Sequence, residues 1–264
     1  MGEPLILEDA MPDIHIDTDA RGVVTFTIDR PRRRNALDSA AMSALADALG
    51  VVEVERGVRA LVFRGAGGSF SAGRDLKEAA DLAADRAMDQ HAAWTDVFRR
   101  LRRLPFPSVA AVEGYAVAGG FTLAMGCDLV IAERGARFGA LEMQNGFPAA
   151  VCTPILARLA PPRIGLELAM FGELVAAERL YEAGLVNRLA DGAGGLAAAV
   201  AEFTDRIVSL DANAVRQTLE TYRAAETMPL DQSLTLGLHL NQLLDAAGSF
   251  RKAGQAFAGK DGGA

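Results

Sequence analysis

Short β-branched or aromatic runs alternate along this chain with longer stretches in which apolar positions recur at helical spacing. Val23-Val24-Thr25-Phe26-Thr27-Ile28 predicts a first strand. Pro31 and three arginines follow, then Asn35-Ala36-Leu37-Asp38, where Asp38 or Ser39 can cap a helix carrying Met42, Leu45 and Leu49. Arg59-Ala60-Leu61-Val62-Phe63-Arg64 predicts a second strand that runs into a glycine-rich stretch, Gly65 to Gly73. One long helix is expected from about Ala79 to Leu104, with Trp94, Val97, Phe98 and Leu101 on one face and Pro105 and Pro107 ending it. Ser108 to Val112 is a third strand, Gly119-Gly120 opens an apolar helix through Met125, Leu129-Val130-Ile131 is a further strand, and Ala136 to Gly139 is a short extended piece before Glu142. Beyond Pro161 the pattern is helical. A glycine-rich break at 192–195 reads as a linker to a C-terminal helical segment, 196–264, and residues 1–12 read as a loose tail. Alternating strands and helices over residues 1–195 place the fold in the α/β class.

Composition narrows the partners. The 264 residues hold 27 basic and 34 acidic side chains, a net charge of −7, which gives no global attraction to nucleic acid. No positively charged leader followed by an apolar run is visible, and the apolar stretches are too short to span a bilayer, so a cytoplasmic protein without membrane partners is expected. Two cysteines, Cys127 and Cys152, suggest no disulfide framework. His15, His91 and His239 lie far apart and show no metal-ligand spacing.

Two turns carry candidate chemistry. Gly65-Ala66-Gly67 begins like a dinucleotide fingerprint but fails at Phe70, no Gly-Lys-Ser/Thr completes a phosphate loop, and the surroundings of Ser71 fall one residue short of a nucleophile elbow. In Tyr115-Ala116-Val117-Ala118-Gly119-Gly120-Phe121-Thr122, glycines open a helix. The first N–H groups of a helix have no internal partner, and the dipole there favours negative charge, so this turn suits a developing oxyanion. Taken alone, the first reads more readily as a flexible turn, and the second equally well as close helix–strand packing.

Together the motifs are more specific. Phe70-Ser71-Ala72-Gly73-Arg74-Asp75-Leu76-Lys77-Glu78, Arg30-Pro31 with Asn35-Ala36-Leu37, Val112 to Gly120 with Cys127-Asp128, Phe138-Gly139 with Glu142 and Gly146, and Ala183-Gly184-Leu185-Val186 occur in order. This set resembles the crotonase superfamily, the enoyl-CoA hydratase/isomerase family, from about Val23 to Lys260.

The resemblance implies a spiral of β-β-α turns, a C-terminal helical segment that forms homotrimers or dimers of trimers, and an acyl-CoA substrate with no further cofactor and no metal. It places the two oxyanion N–H donors on Arg74 and Gly119 and the acid/base on Glu142. The first of the two glutamates used by hydratases of the family falls on Thr122; Glu113, just before the second turn, is a candidate substitute carboxylate, with a solvated strand-end side chain as the alternative. CoA contacts fall on Asn35, Ala36, Leu37, Ala72, Lys77 and Lys260, with the basic cluster Arg32, Arg33, Arg34 nearby. The acyl pocket falls on Met88, His91, Trp94 and Phe98. A single glutamate suits moving a proton between carbons of one substrate face, as an isomerase or an aromatic acyl-CoA lyase does; hydration shared between two carboxylates is then less direct. A non-catalytic acyl-CoA-binding or scaffolding protein and an RNA-binding member of the superfamily are the rivals, the latter disfavoured by the acidic balance.

Overall fold

The computed structural model describes residues 13–81, 83–192, 194–251 and 255. The expected tail at 1–12 and Lys260 lie outside them. The chain divides into two compact units, Met1–Val215 and Arg216–Ala264.

In the first unit, β1 (Ile14–Thr18) pairs antiparallel with β2 (Val23–Ile28), and α1 (Ser39–Val54) follows. The helix starts where its cap was expected, because the Asp38 carboxylate accepts the Ala41 N–H at 2.9 Å. Next come β3 (Ala60–Gly65), α2 (Leu76–Asp81), α3 (Ala84–Leu101), β4 (Ser108–Val112), β5 (Tyr115–Val117) and α4 (Gly119–Gly126). β6 (Leu129–Glu133), β7 (Arg137–Gly139), a 3-10 turn at Leu141–Asn145, α5 (Cys152–Leu159) and α6 (Pro162–Phe171) follow. β8 (Val175–Ala176), α7 (Ala177–Glu182), β9 (Arg188–Ala190) and α8 (Gly195–Ser209) complete the series.

β1, β2, β3, β4, β6 and β9 form one sheet in that order, parallel from β2 onward. β5, β7 and β8 form a second, smaller sheet. Each turn of the chain therefore gives one strand to each wall and then a helix: β4, β5 and α4, then β6, β7 and the 3-10 turn leading to α5. Earlier turns do the same with single bridges, Leu37 to Arg74 and Ser71 to Ala116, in place of full strands. This is the expected β-β-α spiral.

Continuous apolar strands are needed because the large sheet is covered on both faces. Along β3 and β4 the side chains alternate: Leu61, Phe63, Ala110 and Val112 enter the main core, while Ala60, Val62, Val109 and Ala111 form a second core. Leu196, Ala199, Val200, Phe203, Ile207 and Val208 of α8 pack on that second core. The glycine break at 192–195 is thus a turn into a helix that the sheet requires, and the division between units falls 20 residues further on, within α9 (Ala212–Ala225). The second unit holds the rest of α9 and α10 (Leu230–Ala246).

Three further departures have local causes. The helix expected over 79–104 is interrupted, since Ala83 is extended at φ −62°, ψ 150° between α2 and α3. β1 was not expected because Ile14-His15-Ile16-Asp17-Thr18 has only two apolar residues, both facing inward. β9 is three residues long and carries an arginine, too little pattern to read as a strand.

The fold's most constrained side chain is Asn35, fully buried and left-handed at φ 57°. Its Nδ2 donates to the carbonyls of Ala66 (2.8 Å) and Ser69 (2.6 Å), and its Oδ1 accepts the Arg30 N–H (2.9 Å). Asn35→Ala leaves three part-buried backbone groups without that partner and should cost about 2–4 kcal/mol in urea unfolding. A loss below about 0.5 kcal/mol would contradict the clamp.

Candidate active site

The Asn35 clamp shapes the loop after β3, where Gly67 and Gly68 have φ of 69° and 80°. From Phe70 onward the amides are used one after another. Phe70 N–H donates to Glu113 O (2.8 Å), Ser71 to Tyr115 O (3.0 Å), Ala72 to Arg34 O (2.9 Å) and Asp75 to Leu37 O (2.8 Å). Gly73 N–H donates to the buried Ser71 Oγ (3.0 Å), which itself donates to Asn35 O (2.7 Å). In this run the Arg74 N–H alone has no acceptor among the described residues.

A second free amide lies beside it. β5 ends as Val117 N–H donates to Ser71 O (3.0 Å) and Ala118 N–H to Gly139 O (2.8 Å). α4 then begins at Gly119, whose N–H, the first of a helix, has no acceptor among the described residues. A Cβ on Gly119 would lie 3.3 Å from Arg74 N and 3.2 Å from Gly73 Cα. One on Gly73, at φ 81°, would lie 2.3 Å from Gly119 N. Glycine at 73 is thus required twice, for its conformation and to leave the Gly119 N–H uncovered. Its signal in the sequence is the Ala72-Gly73 pair before Arg74, and sequence reasoning missed this role.

Ala118, the N-cap of α4, adopts φ 50°, ψ −124°. This backbone sits in a region that disfavours any Cβ, so the turn at the second amide is strained.

Glu142 lies three residues beyond Gly139, the residue of β7 that pairs with the end of β5. β5 and β7 pair through Val117 and Gly139, and the chain then turns into the 3-10 segment carrying Glu142. The side chain is half-buried, and its Oε2 is buried with no partner among the described residues. Burial pushes its pKa above the ordinary carboxylate value, partly opposed by a hydrogen bond from its own backbone. Cys152, at the start of α5, is its neighbour. Burial pushes that thiol up to about 12, with the adjoining Thr122 hydroxyl lowering it and the Glu142 charge raising it. Thr122 is buried, one turn into α4, and its Oγ1 donates to Ala118 O at 3.2 Å. Cys152 therefore feels both Glu142 and Thr122, a neighbourhood the sequence gave no reason to expect.

The remaining expected residues divide into three groups. Trp94 belongs to the cluster: its Cζ2 lies 3.3 Å from the Cβ position of Gly119, and its ring meets Phe98 edge-on at 4.9 Å. Phe98 is core, packed over Gly126. His91 lies one turn before Trp94, with Nδ1 at 3.4 Å from Arg74 Nη1. Met88 is 68% exposed. Asn35 and Leu37 are buried, and their polar groups are spent on the loop, so their part is to position it. Ala36 is also buried, and its carbonyl accepts from the Arg30 side chain. Ala72 is partly exposed; Lys77 and Arg32, Arg33 and Arg34 are exposed. Glu113 sits at the opposite end of β5 from Gly119, beside Phe70, and the structure does not bring it to Glu142. Among the described residues no group of three His, Cys, Asp or Glu is placed to hold a metal ion, and no helix is long and apolar enough to cross a membrane.

The paired amides and the carboxylate sit on the elements that the sequence motifs mark, and the whole chain can be compared with known proteins on that basis. The enoyl-CoA hydratase/isomerase model matches residues 18–262. The chain belongs to the enoyl-CoA hydratase/isomerase family. It is 31% identical to the 1,2-epoxyphenylacetyl-CoA isomerase of Escherichia coli, over 91% of this chain and 93% of that one. It is 32% identical to the short-chain-enoyl-CoA hydratase of Clostridium acetobutylicum, over 80% and 82% respectively. The crystal structure of an enoyl-CoA hydratase from Mycobacterium smegmatis superposes with a TM-score of 0.84 at 30% identity, covering 91% of this chain and 97% of that one. The spiral is the crotonase fold, and the chain is an enzyme of the hydratase/isomerase type.

Within this family member, Ala118→Gly should relieve the strained turn and raise stability by about 1 kcal/mol in urea unfolding. An unchanged or lower stability would show that the turn is not strained.

Proposed function

We propose that this enzyme moves protons on acyl-CoA thioesters, with the Arg74 and Gly119 N–H groups holding the thioester oxygen and Glu142 acting as the single acid/base. The observation that carries this reading is the unspent Arg74 amide beside the Gly119 amide, while the amides of Phe70 to Gly73 and of Asp75 are all spent. Unspent donors held close together stabilise negative charge as it develops, and losing one such donor typically costs about 10²–10³ in rate.

The chemistry favoured by one carboxylate is isomerisation of a 3-enoyl-CoA. The C2–H bond breaks, and Glu142 takes the proton. The electron pair moves into an enolate whose oxygen the two amides hold. Glu142 then returns the proton to C4 as the C2–C3 double bond forms. Thr122 cannot take a carboxylate's part, and its hydroxyl proton is already given to Ala118 O. The hydratase names among the relatives support a second reading, in which Glu142 alone takes a proton from water attacking C3 and delivers one to C2. Neither route calls for a metal or a redox cofactor, and CoA enters as part of the substrate.

In this reading, exposed Lys77 and the arginines at 32–34 meet CoA phosphates, joined by Lys260 from a second copy, and Trp94 walls the acyl group. Assembly as a homotrimer or a dimer of trimers is supported by the second unit. Its α10 buries no side chain and exposes Leu230, Leu234 and Leu238 at intervals of four residues.

Turnover of a 3-enoyl-CoA, crotonyl-CoA and feruloyl-CoA by wild type and Glu142→Gln tests the reading. The active substrate names the reaction, and the variant should lose about 10²–10⁴ of the rate. A variant as active as wild type would contradict the role of Glu142; wild type that binds CoA esters and turns over none would favour a binding protein. The wild-type rate should rise with pH through an apparent pKa above the ordinary glutamate value, because the ionised form is the base. Stability should run the other way. A carboxyl whose pKa is raised on folding binds more protons when folded, so the penalty is absent below the unfolded pKa and grows as pH rises to the folded one. Glu142→Gln should therefore unfold at a higher temperature than wild type at neutral pH, with the gap closing in acid.

A further inference from the structure

The side chain of Arg74 has no part in the proton transfer described above, yet it is placed at its centre. Its backbone N–H faces Gly119, and its guanidinium turns toward α3, where Nη1 lies 3.4 Å from His91 Nδ1. An arginine only donates, so the His91 Nδ1 accepts, which makes the imidazole neutral with its proton on Nε2. Burial, and then the Arg74 charge, lower the His91 pKa in keeping with that state. Arg74 Nε is buried with no partner, and no carboxylate among the described residues forms an ion pair with the guanidinium. The acid nearest in charge, Glu78, is occupied by the Ser39 N–H (2.8 Å) and Gln90 Nε2 (3.4 Å). A partly desolvated cation with a buried free donor is costly unless an anion completes it.

The place of the guanidinium limits what that anion is. His91 and Trp94 lie three residues apart on one face of α3, and Trp94 lies against the Gly119 turn. The space beside the two amides thus has an aromatic wall and a guanidinium next to it. An arginine side chain reaches only about 6–7 Å from its own Cα, so its ligand lies within a few bonds of the thioester carbonyl. CoA phosphates are separated from the thioester by the length of the pantetheine arm and are too distant.

We infer that Arg74 selects acyl-CoA substrates whose short acyl chain ends in a carboxylate, paired with the guanidinium while Trp94 covers the apolar carbons between. Planar guanidinium and carboxylate groups match in a two-pronged, charge-assisted pair, and Nε–H with an adjacent Nη–H presents such a fork. The inference rests on the reading of the Arg74 and Gly119 amides as the thioester site.

Calorimetric binding of glutaryl-CoA and butyryl-CoA, a pair differing by a terminal carboxymethyl against a methyl, tests it without needing turnover. Wild type should bind glutaryl-CoA at least tenfold more tightly. In Arg74→Met that ratio should fall at least tenfold, whatever happens to the two affinities separately. Arg74→Lys, which keeps the charge and loses Nε, should keep part of the ratio. Arg74→Gln gives the same reading as the methionine variant if the latter disturbs folding, which circular dichroism reports. Equal binding of the two esters by wild type, or an unchanged ratio in the variants, overturns the inference and leaves the acyl-CoA reading standing. Failure of wild type to bind either ester overturns both.

Discussion

The approach of two backbones at Gly73 and Gly119 is the constraint on which the rest of the site depends. A side chain at 73 would sit 2.3 Å from the Gly119 nitrogen, so the absence of a Cβ keeps that amide uncovered. Backbone this close needs support from outside the turn. Asn35 supplies it by holding the loop's carbonyls, and Ser71 by taking the Gly73 amide and returning its own proton to Asn35 O. The spiral explains why these segments meet. Each turn of chain returns to the small wall one strand further along, so residues 35–37, 71–74, 116–119 and 139 stand side by side.

The second wall of the site works by burial. Glu142 has a buried carboxylate oxygen with no hydrogen-bond partner among the described residues, and its charge acts on the buried Cys152 thiol. Such a carboxyl holds its proton more tightly than an ordinary glutamate, which suits the proton-carrying role proposed for it. The same burial makes it a weak point for stability, so function and folding pull against each other at this residue. Thr122 adds no such burden, since a carboxylate at its buried position would carry a desolvation cost of its own.

Much of this was legible in the sequence, and the exceptions are instructive. The strands at 23–28 and 108–112 and the cap at Asp38 follow from β-branched runs and one short acidic side chain, all local signals. The glycine turn at 119 was readable because free amides at a helix start are a property of any helix. That the Arg74 amide stays free was not readable bottom-up, since it depends on the amides of Phe70 to Gly73 and Asp75 finding acceptors in residues 34–37 and 113–115 and at the Ser71 hydroxyl. Family resemblance alone pointed there. Glu113 and Met88 match the family's order of residues, but strand direction carries Glu113 to the far end of β5 and the start of α3 leaves Met88 in solvent. The glycine break at 192–195 misled for a related reason: a turn and a linker share a composition, and only the apolar face of α8 shows that the sheet needs it.

Infrared difference spectroscopy of a bound acyl-CoA labelled with ¹³C at the thioester carbonyl tests the central claim most directly. Two free amides aimed at the carbonyl oxygen polarise the bond, so its stretch should move to clearly lower wavenumber on binding and return toward the free value in Gly73→Ala, whose Cβ would cover the Gly119 amide. A carbonyl stretch unchanged on binding to wild type would contradict the account.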